Sequence, residues 1–188
     1  MTTSIMIVGV GGQGTLLASK LLGNVLIARG YDVKLSEVHG MSQRGGSVVT
    51  YVKYGDKVYS PIVDQGEADY ILSFEILESA RWISYLKEGG VLLTNTQKTW
   101  PMPVITGAMA YPEGIVEKLS AMANVQAVDA LKLAEEAGSP KAVNVVLIGV
   151  LSKRMDIPEA AWIKAIEETV PQKFLELNRK AFRLGREA

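Results

Sequence analysis

Residues 5–14 read Ile-Met-Ile-Val-Gly-Val-Gly-Gly-Gln-Gly, an apolar β-type run that breaks into four glycines and then opens a stretch with helical periodicity. Glycine tolerates positive φ and has no Cβ, so the backbone can turn sharply and approach a ligand or another chain segment closely. The run predicts a buried strand over Ile5 to Gly9 and a helix over Gly14 to Arg29, with Leu17, Leu21, Leu22, Val25 and Leu26 on its apolar face. Gly30 stops that helix before a second strand over Asp32 to Ser36. A strand, tight turn, helix and strand in this order form a right-handed βαβ crossover, which commits the chain to an α/β fold.

The remaining pattern predicts a Rossmann-like open, mostly parallel sheet flanked by helices. Ser47 to Lys53 and Lys57 to Val63 are β-branched and aromatic runs either side of Tyr54-Gly55-Asp56, and predict an inserted β-hairpin. A strand over Ala68 to Phe74, a helix over Glu75 to Lys87, a turn at Gly89-Gly90 and a strand over Val91 to Asn95 continue the sheet. The proline-rich stretch that follows predicts a short strand near Val104 to Thr106, then a helix over Glu113 to Ala123 and a last strand over Val125 to Val128. Asp129 N-caps a helix over Ala130 to Ala137 that ends at Gly138. A helical C-terminal region completes the pattern: Lys141 to Met155, Glu159 to Thr169 behind Pro158, and Gln172 to Arg186 behind Pro171. No repeat, low-complexity tract or linker divides residues 1–188, which read as one domain.

Composition narrows the function classes. Lys+Arg and Asp+Glu both total 20, so there is no basic field to gather nucleic acid or an anionic membrane. No apolar run approaches the roughly 20 residues of a membrane helix and no signal-peptide pattern opens the chain, so a cytoplasmic location is expected. The absence of cysteine excludes disulfides, thiolate nucleophiles and cysteine-ligated iron–sulfur clusters within this chain. His39 is the one histidine, which argues against a zinc site. No catalytic residue is identified and no metal site is expected.

Three constellations could carry chemistry. Gly9, Gly11 and Gly14 satisfy the GxGxxG spacing, with Gly12 and Gln13 inside the turn, and Glu37 stands near the end of the second strand where a dinucleotide site wants an acid. The alternative is that these glycines only permit close strand–helix packing. The second constellation, Glu37 to Val48, emerges at the same carboxyl edge of the sheet, where open α/β folds bind ligands. Arg44 offers a guanidinium fork, Gly45-Gly46 offers backbone amides, Ser42, Gln43 and Ser47 offer polar contacts, and His39 offers an imidazole. The bland alternative is a solvated loop in which Glu37 pairs with Arg44. Third is Ala142 to Leu151, which reads as a buried helix with Gly149 allowing a close helix contact and Asn144 capping a turn or lining a cleft. The final helix places Phe174, Leu177, Ala181 and Leu184 at helical spacing beneath a charged face that is either solvated or docks on a partner.

The segments GVGGQG (Gly9 to Gly14), EVHGMSQRGGSV (Glu37 to Val48) and AVDALKLAEEAGSPKAVNVVLIGVL (Ala127 to Leu151) resemble the gamma domain of the 2-oxoacid:ferredoxin oxidoreductases, and the resemblance spans essentially the whole chain. Pyruvate and 2-oxoglutarate members tend to carry a tyrosine-glycine-proline-glutamate sequence before arginine-glycine-glycine. Here His39-Gly40-Met41-Ser42-Gln43 stands there, which resembles the arylpyruvate type, closest to the small beta subunit of the indolepyruvate enzymes. The resemblance implies oxidative decarboxylation of a 2-oxo acid to an acyl-coenzyme A, with electrons passing to ferredoxin through the complex. It implies thiamine diphosphate, Mg²⁺ and iron–sulfur clusters on a large partner subunit, none bound by this chain alone, with coenzyme A as co-substrate. Consistent with that division, no glycine-aspartate-glycine motif followed by an asparagine is present; Gly55-Asp56-Lys57 does not continue that way. Under this resemblance the isolated chain is inactive and could pair as a homodimer, and Arg44 with the amides around Gly45 and of Gly11 to Gly14 would contact a phosphate or carboxylate. A stand-alone NAD-dependent oxidoreductase and a purely structural assembly subunit stay open as alternatives.

Overall fold

The computed structural model describes residues 2–39 and 45–188. Strand β1 (Thr2–Val10) and helix α1 (Thr15–Ala28) flank the glycine turn, followed by β2 (Asp32–His39), β3 (Ser47–Gly55) and β4 (Ala68–Ser73). Next come α2 (Ile76–Trp82), β5 (Leu86–Asn95), α3 (Met102–Ile105), α4 (Ile115–Ser120) and β6 (Asn124–Val128). Helices α5 (Ala130–Ala137), α6 (Val143–Ser152), α7 (Glu159–Thr169) and α8 (Leu175–Glu187) end the chain. The strands form one sheet in the order β2-β3-β1-β4-β5-β6. β4, β5 and β6 follow β1 in parallel, whereas β3 runs antiparallel to both β1 and β2.

Alternation along β1 divides the core. Ile5 and Ile7 face a cluster built with α1 and the C-terminal helices, while Met6 and Val8 face the layer of α2 and α4. The chain therefore leaves β1 over one face and β4 over the other, and the two crossovers diverge at the carboxyl ends of these neighbouring strands. That divergence is where α/β sheets open a crevice. Helix α6, buried at every residue, fills the first cluster, as its apolar sequence requires.

Three expectations are corrected. The hairpin exists, but its arms are β2 and β3, not Ser47–Lys53 and Lys57–Val63. Residues 57–63 form no strand: Pro61 lacks an N–H, and the Val58 amide is taken by the Asp32 carboxylate (2.8 Å). Gly89-Gly90 is not a turn between elements but lies inside β5, at an irregularity in its pairing with β4. A Cβ on Gly90 would lie 2.9 Å from the Ala68 carbonyl oxygen, so only glycine fits that approach. The region of Val104 to Thr106 is a helical turn, because Pro101 and Pro103 hold φ near the helical value at its start. Among the described residues no helix is long and apolar enough to cross a membrane.

Candidate functional site

The two glycine segments meet. The Gly11 amide donates to the Gly46 carbonyl (2.9 Å), and the Gly45 amide donates back to the Gly11 carbonyl (3.3 Å). These two bonds set Gly11 opposite both Gly45 and Gly46, a β-bulge with Gly45 at φ +74°, so Gly45-Gly46 is seated on the turn after β1 just past the Val10↔Ser47 pair. The Gly45 amide, expected to face an anion, is directed at the Gly11 carbonyl.

Inside the turn, Gln13 folds back on itself. Its Oε1 accepts from the Val10 amide (2.9 Å), its Nε2 donates to the Phe74 carbonyl (3.4 Å), and its own amide donates to the Val10 carbonyl (3.3 Å). A Cβ on Gly9 would lie 2.8 Å from that Oε1 and 2.9 Å from Phe74 Cβ, so Gly9 is there for packing. Gly14, at φ +85°, N-caps α1 with no capping side chain, and the Asn144 Nδ2 donates to its carbonyl (3.4 Å). Asn144 thus pins buried α6 to the turn. Gly12 differs: it has φ +100°, and a Cβ there would meet nothing within 4 Å. Among the described residues the amides of Gly12 and Gly14 take no part in the bonds that hold the turn together, and they lie at the positive end of α1.

The Gly12–Gly14 ridge separates two cavities. One, of about 390 Å³, is lined by the ridge, Thr15, Leu16, Val48, Glu37 and His39. Glu37 accepts a bond from the Thr50 hydroxyl (3.4 Å), and its other oxygen lies 3.6 Å from His39 Nδ1. The other cavity, of about 430 Å³, lies between the ridge, Gln97, Leu131, Pro140, Lys141 and Val143. It has no carboxylate in its lining, and Lys141 is exposed and makes no salt bridge with any described acid. Among the described residues the two sides of the ridge therefore differ in sign: a negative group is repelled by Glu37 and attracted by Lys141.

Of the expected site residues, Gly9, Gly11, Gly12, Gln13, Gly14, Gly45, Gly46 and Asn144 converge at the turn, with Glu37 and His39 on one side. Ser47 is not brought there. It pairs with Val10 on the opposite face and donates to Glu78 (2.5 Å), a carboxylate only 3% exposed that also accepts from Trp82 Nε1 and Arg81 Nε. Ser42, Gln43 and Arg44 lie outside the described residues. Sequence reading missed Lys141 and Gln97, which lie far from the turn in the chain. It also missed Glu75, which follows β4 directly and N-caps α2 through bonds from the Leu77 and Glu78 amides (2.7 and 2.9 Å). An acid just after a buried strand and before a helix was the available signal.

Residues 4–188 match the family model for pyruvate ferredoxin/flavodoxin oxidoreductase. The chain is 46% identical to the indolepyruvate oxidoreductase subunit IorB of Thermococcus kodakarensis, across 97% of this chain and 93% of that protein. Its fold is similar to the gamma subunit of a keto/oxoacid ferredoxin oxidoreductase from Geobacter sulfurreducens PCA, with a TM-score of 0.73 and 26% identity, covering 98% and 96% of the two chains. It is also similar in fold to 2-oxoglutarate:ferredoxin oxidoreductase from Magnetococcus marinus, with a TM-score of 0.75 and 18% identity. There the match covers 99% of this chain but 30% of the other, whose structure has 2-oxoglutarate, coenzyme A and succinyl-CoA bound.

Proposed function

The chain belongs to the pyruvate ferredoxin/flavodoxin oxidoreductase family, and from that membership we propose that it is the small subunit of a 2-oxoacid:ferredoxin oxidoreductase that acts on an arylpyruvate such as indolepyruvate. The observation that carries the reading is the near end-to-end match to a subunit of an indolepyruvate enzyme. Thiamine diphosphate, Mg²⁺ and the iron–sulfur clusters belong in this reading to a large partner subunit. With no cysteine in 188 residues, cluster thiolates have to come from another chain. The product is an acyl-coenzyme A, and ferredoxin takes the electrons through the assembled complex.

What this chain contributes is the ridge. The free amides of Gly12 and Gly14, the ammonium of Lys141 and the guanidinium of Arg44, next in sequence to Gly45, hold a phosphate or carboxylate of coenzyme A or substrate. Glu37, across the ridge, suits a hydroxyl and discourages the anion from settling in the first cavity. The test is the assembled complex with Arg44→Ala or Lys141→Ala. Each substitution is expected to raise the apparent KM for coenzyme A or arylpyruvate about tenfold, the loss of one charge-assisted contact. Unchanged apparent affinity for both ligands in both variants overturns the assignment.

The topology argues against a stand-alone NAD-dependent enzyme. In dinucleotide-binding sheets the strand bearing the ribose-binding acid lies beside the first strand. Here β3 intervenes, so Glu37 pairs with Thr50 and stands two strand spacings, about 10 Å, from β1. Titration of the purified chain with NADH should leave the nucleotide's fluorescence unchanged.

A further inference from the structure

From Thr99 to Pro112 the chain carries no charged residue. Within it Trp100, Met102, Ile105 and Met109 are 59, 66, 60 and 65% exposed, and α3 buries none of its side chains. Segments rich in large apolar residues usually become ordered by burying them. Here Tyr111 packs against the core, and polar bonds hold the rest. The Val104 and Ile105 amides donate to the Pro101 carbonyl (2.9 and 3.1 Å), Thr106 to Met102 (2.9 Å) and Met109 to Pro103 (3.0 Å). Both ends are fastened to the same buried oxygen: Glu75 Oε1 accepts from the Thr99 amide and from the Tyr111 hydroxyl, each at 2.9 Å. The result is a strap held by these backbone bonds and by Glu75, with Trp100, Met102, Ile105 and Met109 exposed along it, the condition of an interface awaiting its other half.

Its position gives that interface a purpose. Gln97, at the foot of the strap, lines the Lys141 cavity, and its carbonyl accepts the Ile76 amide (3.1 Å) next to Glu75. A surface laid over the strap therefore reaches the mouth of the cavity beside the Gly12–Gly14 ridge.

We propose that residues 99–112 are where the catalytic partner subunit seats, and that its arrival closes the cavity between the ridge and Lys141. The inference rests on the small-subunit reading. Two observations commit it to that occupant: Gln97, two residues before the strap, lines the candidate ligand cavity, and the same fold occurs in Magnetococcus marinus within a longer enzyme chain, of which the match covers 30%. The partner surface it fits is apolar and uncharged.

The test co-expresses the full chain with the large thiamine-dependent, cysteine-bearing subunit from the same organism. Wild type is compared with Trp100→Asp/Met102→Asp and Ile105→Asp, and with Tyr59→Asp as a control at a side chain 84% exposed elsewhere. The strap variants are expected to weaken assembly about 100-fold, as central apolar anchors do, while the isolated variants keep the wild-type circular dichroism and melting temperature. The control assembles normally, and hydrogen exchange of residues 104–109 slows on addition of the partner to wild type. Strap variants that assemble as tightly as wild type overturn the inference and leave the subunit reading standing. Failure of wild type to assemble with the large subunit overturns both. Strap variants that change only self-association, or only binding to phospholipid vesicles, assign the surface to a second copy or a membrane and overturn it as well.

Discussion

Two groups of glycines in this molecule do opposite things. At the crossing of α6 and α8, a Cβ on Gly149 would lie 2.2 Å from the Phe182 carbonyl oxygen, and one on Gly185 would lie 2.0 Å from the Val146 carbonyl oxygen. These glycines exist because backbone occupies the space. At the crest of the turn, Gly12 faces nothing within 4 Å, and its identity follows from φ +100° and from leaving the amide accessible. Gly9 and Gly14 are intermediate, since each is crowded by a side chain that holds the turn. A glycine-rich motif is thus part hinge, part packing joint and part ligand surface, and proximity to backbone, side chain or empty space separates the three.

Substitutions to alanine turn that contrast into numbers. Gly185→Ala should have the largest effect, because backbone on both sides of the crossing cannot move independently. A loss of about 3 kcal/mol or more is expected in urea unfolding, and a loss below about 1 kcal/mol would mean that the helices separate easily. Gly14→Ala combines positive φ with a 2.7 Å approach to Asn144 Nδ2 and should cost about 2 kcal/mol. Pairing it with Asn144→Ala should recover about 1 kcal/mol relative to additivity, the coupling expected of residues in contact. Gly12→Ala should cost only about 1 kcal/mol of backbone strain, with its larger consequence in ligand affinity of the assembled complex. Equal destabilisation by Gly12→Ala and Gly185→Ala would break the comparison.

The smallest effect concerns the strap, a third region, which hangs from the Glu75 carboxylate at both ends. Tyr111 has its pKa raised, first by burial and then by its bond to Glu75, from an ordinary value of 10.0. The fold therefore favours the protonated phenol: its stabilisation is complete below pH 10 and is lost as pH rises beyond that through the raised value. Tryptophan fluorescence, to which Trp100 contributes, should report loosening of the strap on the alkaline side. Tyr111→Phe should abolish that limb while weakening the strap at neutral pH by about 1 kcal/mol.

Much of the fold was legible from local pattern. The unit from Ile5 to Ser36 was read correctly because a buried strand, a glycine turn and a helix each have their own periodicity and stop signals. The bounds of α5 and α7 were read correctly from Asp129, Gly138 and Pro158, which cap or start helices through bonds and torsions spanning a few residues. The close contact at Gly149 was likewise expected from its place in an apolar helix, although its partner Gly185 was not. Pairing was harder: Ser47 to Lys53 and Lys57 to Val63 look equally β-like, yet only the first lies between two edges with free ladder groups, those of β1 and β2. The candidate site divided in the same way. The meeting of Gly11 with Gly45 and Gly46 followed from both loops leaving the same sheet edge, while Lys141, Gln97 and the turn of Ser47 to the other face did not.

By itself the sequence determined the α/β class, the strand–turn–helix unit, the helical ends and the want of any thiolate ligand, because these depend on side-chain periodicity, capping and composition within short stretches. Only the tertiary structure decided that β3 separates Glu37 from β1, that Glu37 and Lys141 stand on opposite sides of the ridge, and that an apolar strap hangs from Glu75. Those features arise where residues distant in the chain compete for the same edge, oxygen or cavity, and that competition is resolved by distance in three dimensions.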